Sequence, residues 1–90
     1  MIYVDVRRPE EYAHGHIPGA ININLEDESA FVPRVCEVVE EHGEVVLYCH
    51  SSFRSSYAQS LLAQKHGVTV GNLDGGLMLY QGPLATIEQQ

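Results

Sequence analysis

The sequence changes abruptly from a strand pattern to a helix pattern between residues 45 and 66, and this change constrains the fold most. Val45 to Tyr48 is an uninterrupted apolar run, which predicts a strand buried on both faces, as in parallel sheets. After a short polar stretch, apolar residues recur at helical spacing from Ser55 to His66, and Gly67 follows as a helix stop. Cys49 therefore lies at the carboxyl end of a strand and just before the amino end of a helix.

The remaining chain repeats the same order of short strands and helices. Further strands are predicted at Ile2 to Val6, Ala20 to Ile23 and Val68 to Leu73. Further helices are predicted at Arg8 to Tyr12, Ser29 to His42 and Leu77 to Gln81. Strands that alternate with helices indicate an α/β fold with a small parallel β-sheet, in which the strand before Cys49 is the central one.

The predicted helix from Ser29 to His42 carries two further expectations. Pro33 is compatible with this helix only if it lies in or near the first turn. Val32, Cys36 and Val39 share one face at helical spacing, so we expect Cys36 to be a small buried side chain. A role for Cys36 as a resolving thiol has no sequence motif behind it.

Composition restricts the size and the partners of the protein. Ninety residues, of which 44% are hydrophobic and 19% charged, predict one globular domain over residues 1–90. The net charge of −7 makes nucleic acid and anionic membranes poor partners. The longest apolar runs are too short to span a bilayer, and the first residues have a strand pattern rather than that of a secretory signal, so we expect a cytoplasmic protein.

The position of Cys49 predicts a reactive thiol at a loop, outside the core packing. Unpaired N–H groups and the positive end of the dipole collect at a helix start, where they lower the pKa of a thiol and hold anions. Arg54 follows Cys49 after four intervening residues and is suited to a two-pronged grip on a sulfonate. The competing interpretations are an inert buried thiol for Cys49 and a structural ion pair for Arg54.

Four segments of the sequence together resemble the single-domain rhodaneses, which are sulfurtransferases. They are residues 5–12 (DVRRPEEY), residues 15–22 (GHIPGAIN), Tyr48-Cys49 followed by Arg54-Ser55, and residues 73–76 (LDGG). Their order and spacing, from residue 2 to about residue 83, make the resemblance specific. The resemblance implies a parallel sheet with helices on both faces.

The resemblance also implies the chemistry of the site. Cys49 is expected to take a sulfane sulfur from thiosulfate or a similar small anionic donor, to hold it as a persulfide, and to pass it to a thiophilic acceptor such as cyanide or a thiol. The substrate-binding loop around the outer sulfur is expected to comprise His50, Ser51, Ser52, Phe53, Arg54 and Ser55. No cofactor is expected, and no metal either, because His14 and His16 lack a convincing third ligand.

Two other functions are compatible with the same residues. The first alternative is a protein-to-protein sulfur relay, in which Cys49 passes sulfur to a protein acceptor and has only weak activity on thiosulfate. Cysteine-based phosphatases and some arsenate reductases also place Cys before Arg between a strand and a helix, but with a longer loop that holds a tetrahedral oxyanion. Asp74 is the one candidate for the general acid of a phosphatase, and its glycine neighbours favour a turn instead.

The sequence departs from the family pattern at three places. Ser52 stands where Gly is usual, so a positive φ there predicts either strain or a differently bent loop. Tyr80 stands where Trp is common. The helix and strand that usually precede the first segment are absent, which leaves a sheet edge less covered, and we expect a monomer or a weak homodimer.

Several polar residues have structural roles as their simplest interpretation. Asp5, Arg7 and Glu11 are expected to form an ion-pair network, and His16 is expected to lock its turn by hydrogen bonding. The acidic run from Glu26 to Glu28 is expected to be a solvated face, with a partner-binding surface as the alternative.

Overall fold

A computed structural model of the protein describes residues 1–87. Strands and helices alternate along them: β1 (Ile2–Asp5), α1 (Pro9–His14), β2 (Ile21–Asn22), α2 (Glu28–His42), β3 (Val45–Tyr48), α3 (Phe53–His66), β4 (Gly71–Asn72) and α4 (Gly76–Leu79). The four strands form one parallel sheet in the order β2-β1-β3-β4. The predicted α/β class and the parallel sheet are confirmed.

Strand β3 is an inner strand of the sheet, as its apolar sequence predicts. It pairs with β1 over its whole length, from Val45 opposite Ile2 to Tyr48 opposite Asp5. On its other side it pairs with β4, where Leu47 lies opposite Asn72. The carboxyl ends of β1 and β3 therefore meet at the same edge of the sheet, which is where ligands bind in open α/β sheets.

Helices cover both faces of the sheet, because alternate residues of each strand point to opposite sides. On one face, side chains of β1 and β3 pack with α2 and α3; this cluster includes Val4, Leu47, Phe31, Val35 and Leu62. On the other face, Tyr48 packs with Ile17 and Ala20, and Tyr12 and Leu77 bring α1 and α4 against them. The predicted arrangement of helices on both faces is confirmed.

Two expectations for α2 are wrong. The helix begins at Glu28, so Pro33 lies beyond the first turn and inside the helix, where its missing N–H leaves the usual bond to the Ser29 carbonyl unmade. The face that points to the core carries Phe31, Val35 and Val38, and Cys36 is only half-buried beside it.

The elements at the end of the chain are shorter than predicted. Strand β4 comprises only Gly71–Asn72, although Val70 before it is buried in the core. Helix α4 begins one residue early, at Gly76, and ends at Leu79. None of the helices within residues 1–87 has the length and apolar character of a membrane span.

Candidate functional site

The Cys49 thiol lies in a closed loop between β3 and α3. The loop turns at His50–Ser52 and enters α3 at Phe53. The Ser55 amide donates to Cys49 Sγ at 3.4 Å, and the Ser55 hydroxyl lies 3.5 Å from the same sulfur. Cys49 is only 1% exposed and belongs to the core cluster that includes Val4 and Leu47, so the expectation that it lies outside the packing is wrong.

The surroundings of the sulfur favour its ionised form. Burial acts to raise the pKa of the Cys49 thiol, but hydrogen bonds from the Ser55 hydroxyl and from the amides of Ser55, Ser51 and Arg54 lower it, and the net pKa is below the ordinary value. A helix start thus acts on this thiol as the sequence predicts. A thiol whose ionised form is favoured by N–H donors in this way is suited to nucleophilic chemistry without a neighbouring general base.

The Ser55 hydroxyl has two acceptors for one hydrogen. It is 3.3 Å from the Ser52 carbonyl and 3.5 Å from Cys49 Sγ. While the thiol is protonated, Cys49 can donate to Ser55 Oγ, and Ser55 donates to the Ser52 carbonyl. When the sulfur ionises, the hydroxyl hydrogen can turn toward it, so that the new charge gains a donor without movement of heavy atoms.

Helix α4 holds the loop from the opposite side. The Leu77 and Met78 amides donate to the carbonyls of Cys49 and His50, each at 3.0 Å. Gly76 lies so close to this strand end that a Cβ there would be 2.4 Å from the Cys49 carbonyl oxygen. Two carbonyls of the loop are therefore bound to α4, and only a glycine allows the approach.

Ser52 adopts the left-handed conformation that the family pattern assigns to a glycine. Its φ is 78°, and it is the one non-glycine residue with positive φ among residues 1–87. Its hydroxyl donates to the Leu73 carbonyl at 3.1 Å and accepts the Gly75 amide. The loop therefore bends as it would with glycine, and side-chain hydrogen bonds hold the serine in that conformation.

Arg54 pairs with a carboxylate. Its two terminal nitrogens donate to the two oxygens of Glu11 at 2.7 and 3.0 Å. These bonds raise the pKa of Arg54 and hold that of Glu11 at about 2. The structure therefore contains the ion pair of Arg54 that the sequence allows as the alternative to anion binding. The network expected for Asp5, Arg7 and Glu11 is divided into two bonded pairs, because Arg7 binds the buried Asp5 at 2.7 Å rather than Glu11. The charge of Arg7 still helps to lower the pKa of Glu11.

A cavity of about 640 Å³ opens beside the loop. Its walls come from the loop, from the start of α3 and from the segment after β2: Leu25, Ser51, Ser52, Phe53, Arg54, Ser56 and Tyr57. Phe53 is 86% exposed and also lines the cavity, so this loop aromatic both forms part of the cavity wall and faces solvent. His50 is exposed and outside the lining. Cys49 is outside the lining too, and its sulfur lies under the loop.

The remaining histidine prediction concerns the turn after α1. His16 is buried, its ring stacks on Tyr12 with centroids 3.7 Å apart, and its Nδ1 lies 2.8 Å from the Tyr12 carbonyl. Its backbone also exchanges two hydrogen bonds with Ala85. These contacts hold the turn, as expected. In the part of the chain that the structure describes, no group of His, Cys, Asp and Glu is arranged to hold a metal ion.

Comparison with known proteins agrees with the fold. The profile of the rhodanese-like domain matches residues 1–82. A sulfurtransferase of Allochromatium vinosum is 32% identical over 80 residues, which cover 89% of this chain and 71% of that protein. A tRNA uridine(34) hydroxylase of Cronobacter sakazakii is 26% identical over 81 residues, which cover 88% of this chain but 23% of that protein.

The solved structures agree with this match. A rhodanese structure from E. coli superimposes with a TM-score of 0.76 at 32% identity, covering 93% of this chain and 95% of that one. The profile, the relatives and the fold lead to one assignment. The chain belongs to the family of rhodanese-like domains.

Proposed function

We propose that the protein is a sulfurtransferase that carries a sulfane sulfur on Cys49. The observation that carries this proposal is the buried sulfur with a lowered pKa, surrounded by hydrogen-bond donors from Ser51, Arg54 and Ser55. These donors stabilise an anionic sulfur, both as the thiolate and as the terminal atom of a persulfide. The family membership supports the same chemistry.

The proposed reaction has two steps with thiosulfate as donor. The Cys49 thiolate attacks the outer sulfur, a new S–S bond forms, and the S–S bond of thiosulfate breaks as sulfite leaves with the electron pair. An acceptor such as cyanide then attacks the outer sulfur of the persulfide, which gives thiocyanate and restores the thiolate. The loop from His50 to Ser55 supplies amides to the transferred sulfur in both steps.

The intact mass of the protein after incubation with thiosulfate tests this proposal. We expect a gain of one sulfur atom that disappears on addition of cyanide. Cys36→Ser is the control that should keep the gain, because this half-buried thiol lies on α2. Cys49→Ser should lose it, and a wild-type protein that gains no sulfur on Cys49 would refute the proposal.

A protein-to-protein sulfur relay is the second candidate, and the Arg54–Glu11 pair favours it. A guanidinium that is already bound by a carboxylate is a weaker partner for a dianionic donor. A relay should load sulfur quickly from a persulfide carried on another protein and slowly from thiosulfate. Added salt should slow loading from a cationic donor protein, because it screens the attraction, and should speed loading from an anionic donor, because it screens the repulsion.

A further inference from the structure

We infer that Glu11 determines which sulfur donors the site accepts. Because its carboxylate binds the guanidinium of Arg54, the site selects organic persulfides, which carry little charge at the reacting end, over inorganic dianions. This inference rests on the proposed function and names its donor class. In the selected reaction the Cys49 thiolate attacks the terminal sulfur of R–S–SH. The new S–S bond forms, the old one breaks, and the leaving group departs as the thiolate RS⁻ while the proton stays on the transferred sulfur.

The first support is the geometry of the pair. Both terminal nitrogens of Arg54 are used, one on each oxygen of Glu11, at 2.7 and 3.0 Å. The carboxylate is also held from its own helix, since Glu11 Oε1 accepts the Arg8 amide at 3.2 Å. Each of the two side chains is 34% exposed, so the pair lies where an entering anion would meet it.

The second support is the shortage of other cations. The remaining arginines are each paired with a carboxylate: Arg7 with Asp5, Arg8 with Glu26, and Arg34 with Glu37. Lys65 makes no ion pair within residues 1–87, but it lies in the last turn of α3, about 16 Å along the helix from Arg54 at 1.5 Å per residue. With a net charge of −7, the chain repels a dianion, and the loop offers it backbone amides and serine hydroxyls but, within residues 1–87, no unpaired arginine.

Glu11→Gln is the variant that tests the role of the carboxylate. Glutamine keeps the shape of the side chain and an oxygen for the Arg8 amide, but it releases the charge of Arg54. Glu10→Gln is the matched control. It makes the same change in net charge on the neighbouring residue of α1, an exposed position that has no bond to Arg54 or to the loop within residues 1–87.

The measurement is the second-order rate of sulfur loading on Cys49, followed by intact mass, with thiosulfate and with the persulfide of N-acetylcysteamine as donors. We expect Glu11→Gln to raise the thiosulfate rate about tenfold, the effect of one unit charge close to the reacting atoms, and to change the persulfide rate by less than about twofold. Glu10→Gln should change both rates by less than about twofold, since it is exposed and screened. Addition of Arg54→Ala to Glu11→Gln should return the thiosulfate rate to that of the wild type.

The outcomes separate this inference from the proposed function. An unchanged ratio of the two rates in Glu11→Gln, a slower thiosulfate reaction, or an equal gain in Glu10→Gln would overturn the specificity role while sulfur still loads. A gain that survives the removal of Arg54 would overturn it as well. A wild-type protein that loads from neither donor would instead overturn the proposed function.

Discussion

The left-handed Ser52 offers a test of how the loop around Cys49 is held. A non-glycine residue in this conformation costs about 1–2 kcal/mol. The two hydrogen bonds of the Ser52 hydroxyl, to the Leu73 carbonyl and from the Gly75 amide, each contribute about 0.5–1.5 kcal/mol. The free energy gained from the two hydrogen bonds is therefore similar to the free energy lost to backbone strain, and substitutions at Ser52 can separate the two contributions.

Two variants remove the hydroxyl but differ in strain. Ser52→Ala loses both bonds and keeps the backbone cost, so we expect it to lower the free energy of unfolding by about 2 kcal/mol. Ser52→Gly loses the same bonds but regains about 1 kcal/mol, because glycine accepts positive φ. For a domain of this size 1 kcal/mol corresponds to about 4–8 °C in melting temperature. Alanine should therefore melt well below glycine, and glycine somewhat below the wild type.

Thermal and urea unfolding measure this order directly. Ser60→Ala, an exposed position in the middle of α3, is the control for the loss of a hydroxyl, and we expect a change within about 0.5 kcal/mol. If the glycine variant is less stable than the alanine variant, the left-handed conformation does not cost Ser52 the proposed free energy. Two variants as stable as the wild type would refute the contribution of the hydrogen bonds.

Three further predictions concern buried and paired groups. Asp5→Asn should lower the free energy of unfolding by about 3–5 kcal/mol, measured in urea, because it leaves the buried Arg7 guanidinium without its charged partner. Cys49→Ala should abolish sulfur loading and also cost about 1 kcal/mol in stability, since the thiol packs in the core. Because folding lowers the pKa of Glu11 to about 2, its pair with Arg54 should stabilise the protein fully above about pH 4.5 and cease to do so as the pH falls through 2. Above pH 4.5 we expect the wild type to be more stable than Glu11→Gln by about 1 kcal/mol after solvent screening. Melting temperatures measured over a pH series should therefore converge for the two proteins near pH 2.

The central part of the fold was predictable because its signals are local. The apolar run of β3, the helical spacing of α3 and the glycine after it are each read within one element, and Gly67 does take the left-handed conformation of a helix stop. The position of Cys49, after the carboxyl end of β3 and before the start of α3, follows from that order alone. The edge elements carry weaker signals: β4 has only two paired residues, and α4 is a single turn.

The rest depended on contacts between distant parts of the chain. Glu11 and Arg54 are 43 residues apart, so spacing within the loop could not show that the arginine is already paired. The hydroxyl of Ser52 reaches residues 21 and 23 positions away. On α2, the helical spacing fits more than one apolar face, and the sheet, not the helix, selects the one that is buried. For this reason the spacing predicts a buried Cys36, whereas the structure leaves this side chain half-buried.

The geometry of the loop also bears on the choice between sulfur and phosphoryl chemistry. A phosphoryl group needs a guanidinium for its oxygens and an acid for the leaving group. Here the guanidinium of Arg54 is bound by Glu11, and a carboxylate oxygen of Asp74 is 3.4 Å from the side-chain amide of Asn72. Cys49 is 1% exposed, and the Ser55 amide lies 3.4 Å from its sulfur. A single sulfur needs only N–H donors, and the loop supplies them from its backbone. We therefore expect the ring of amides, rather than the arginine, to determine which group Cys49 carries.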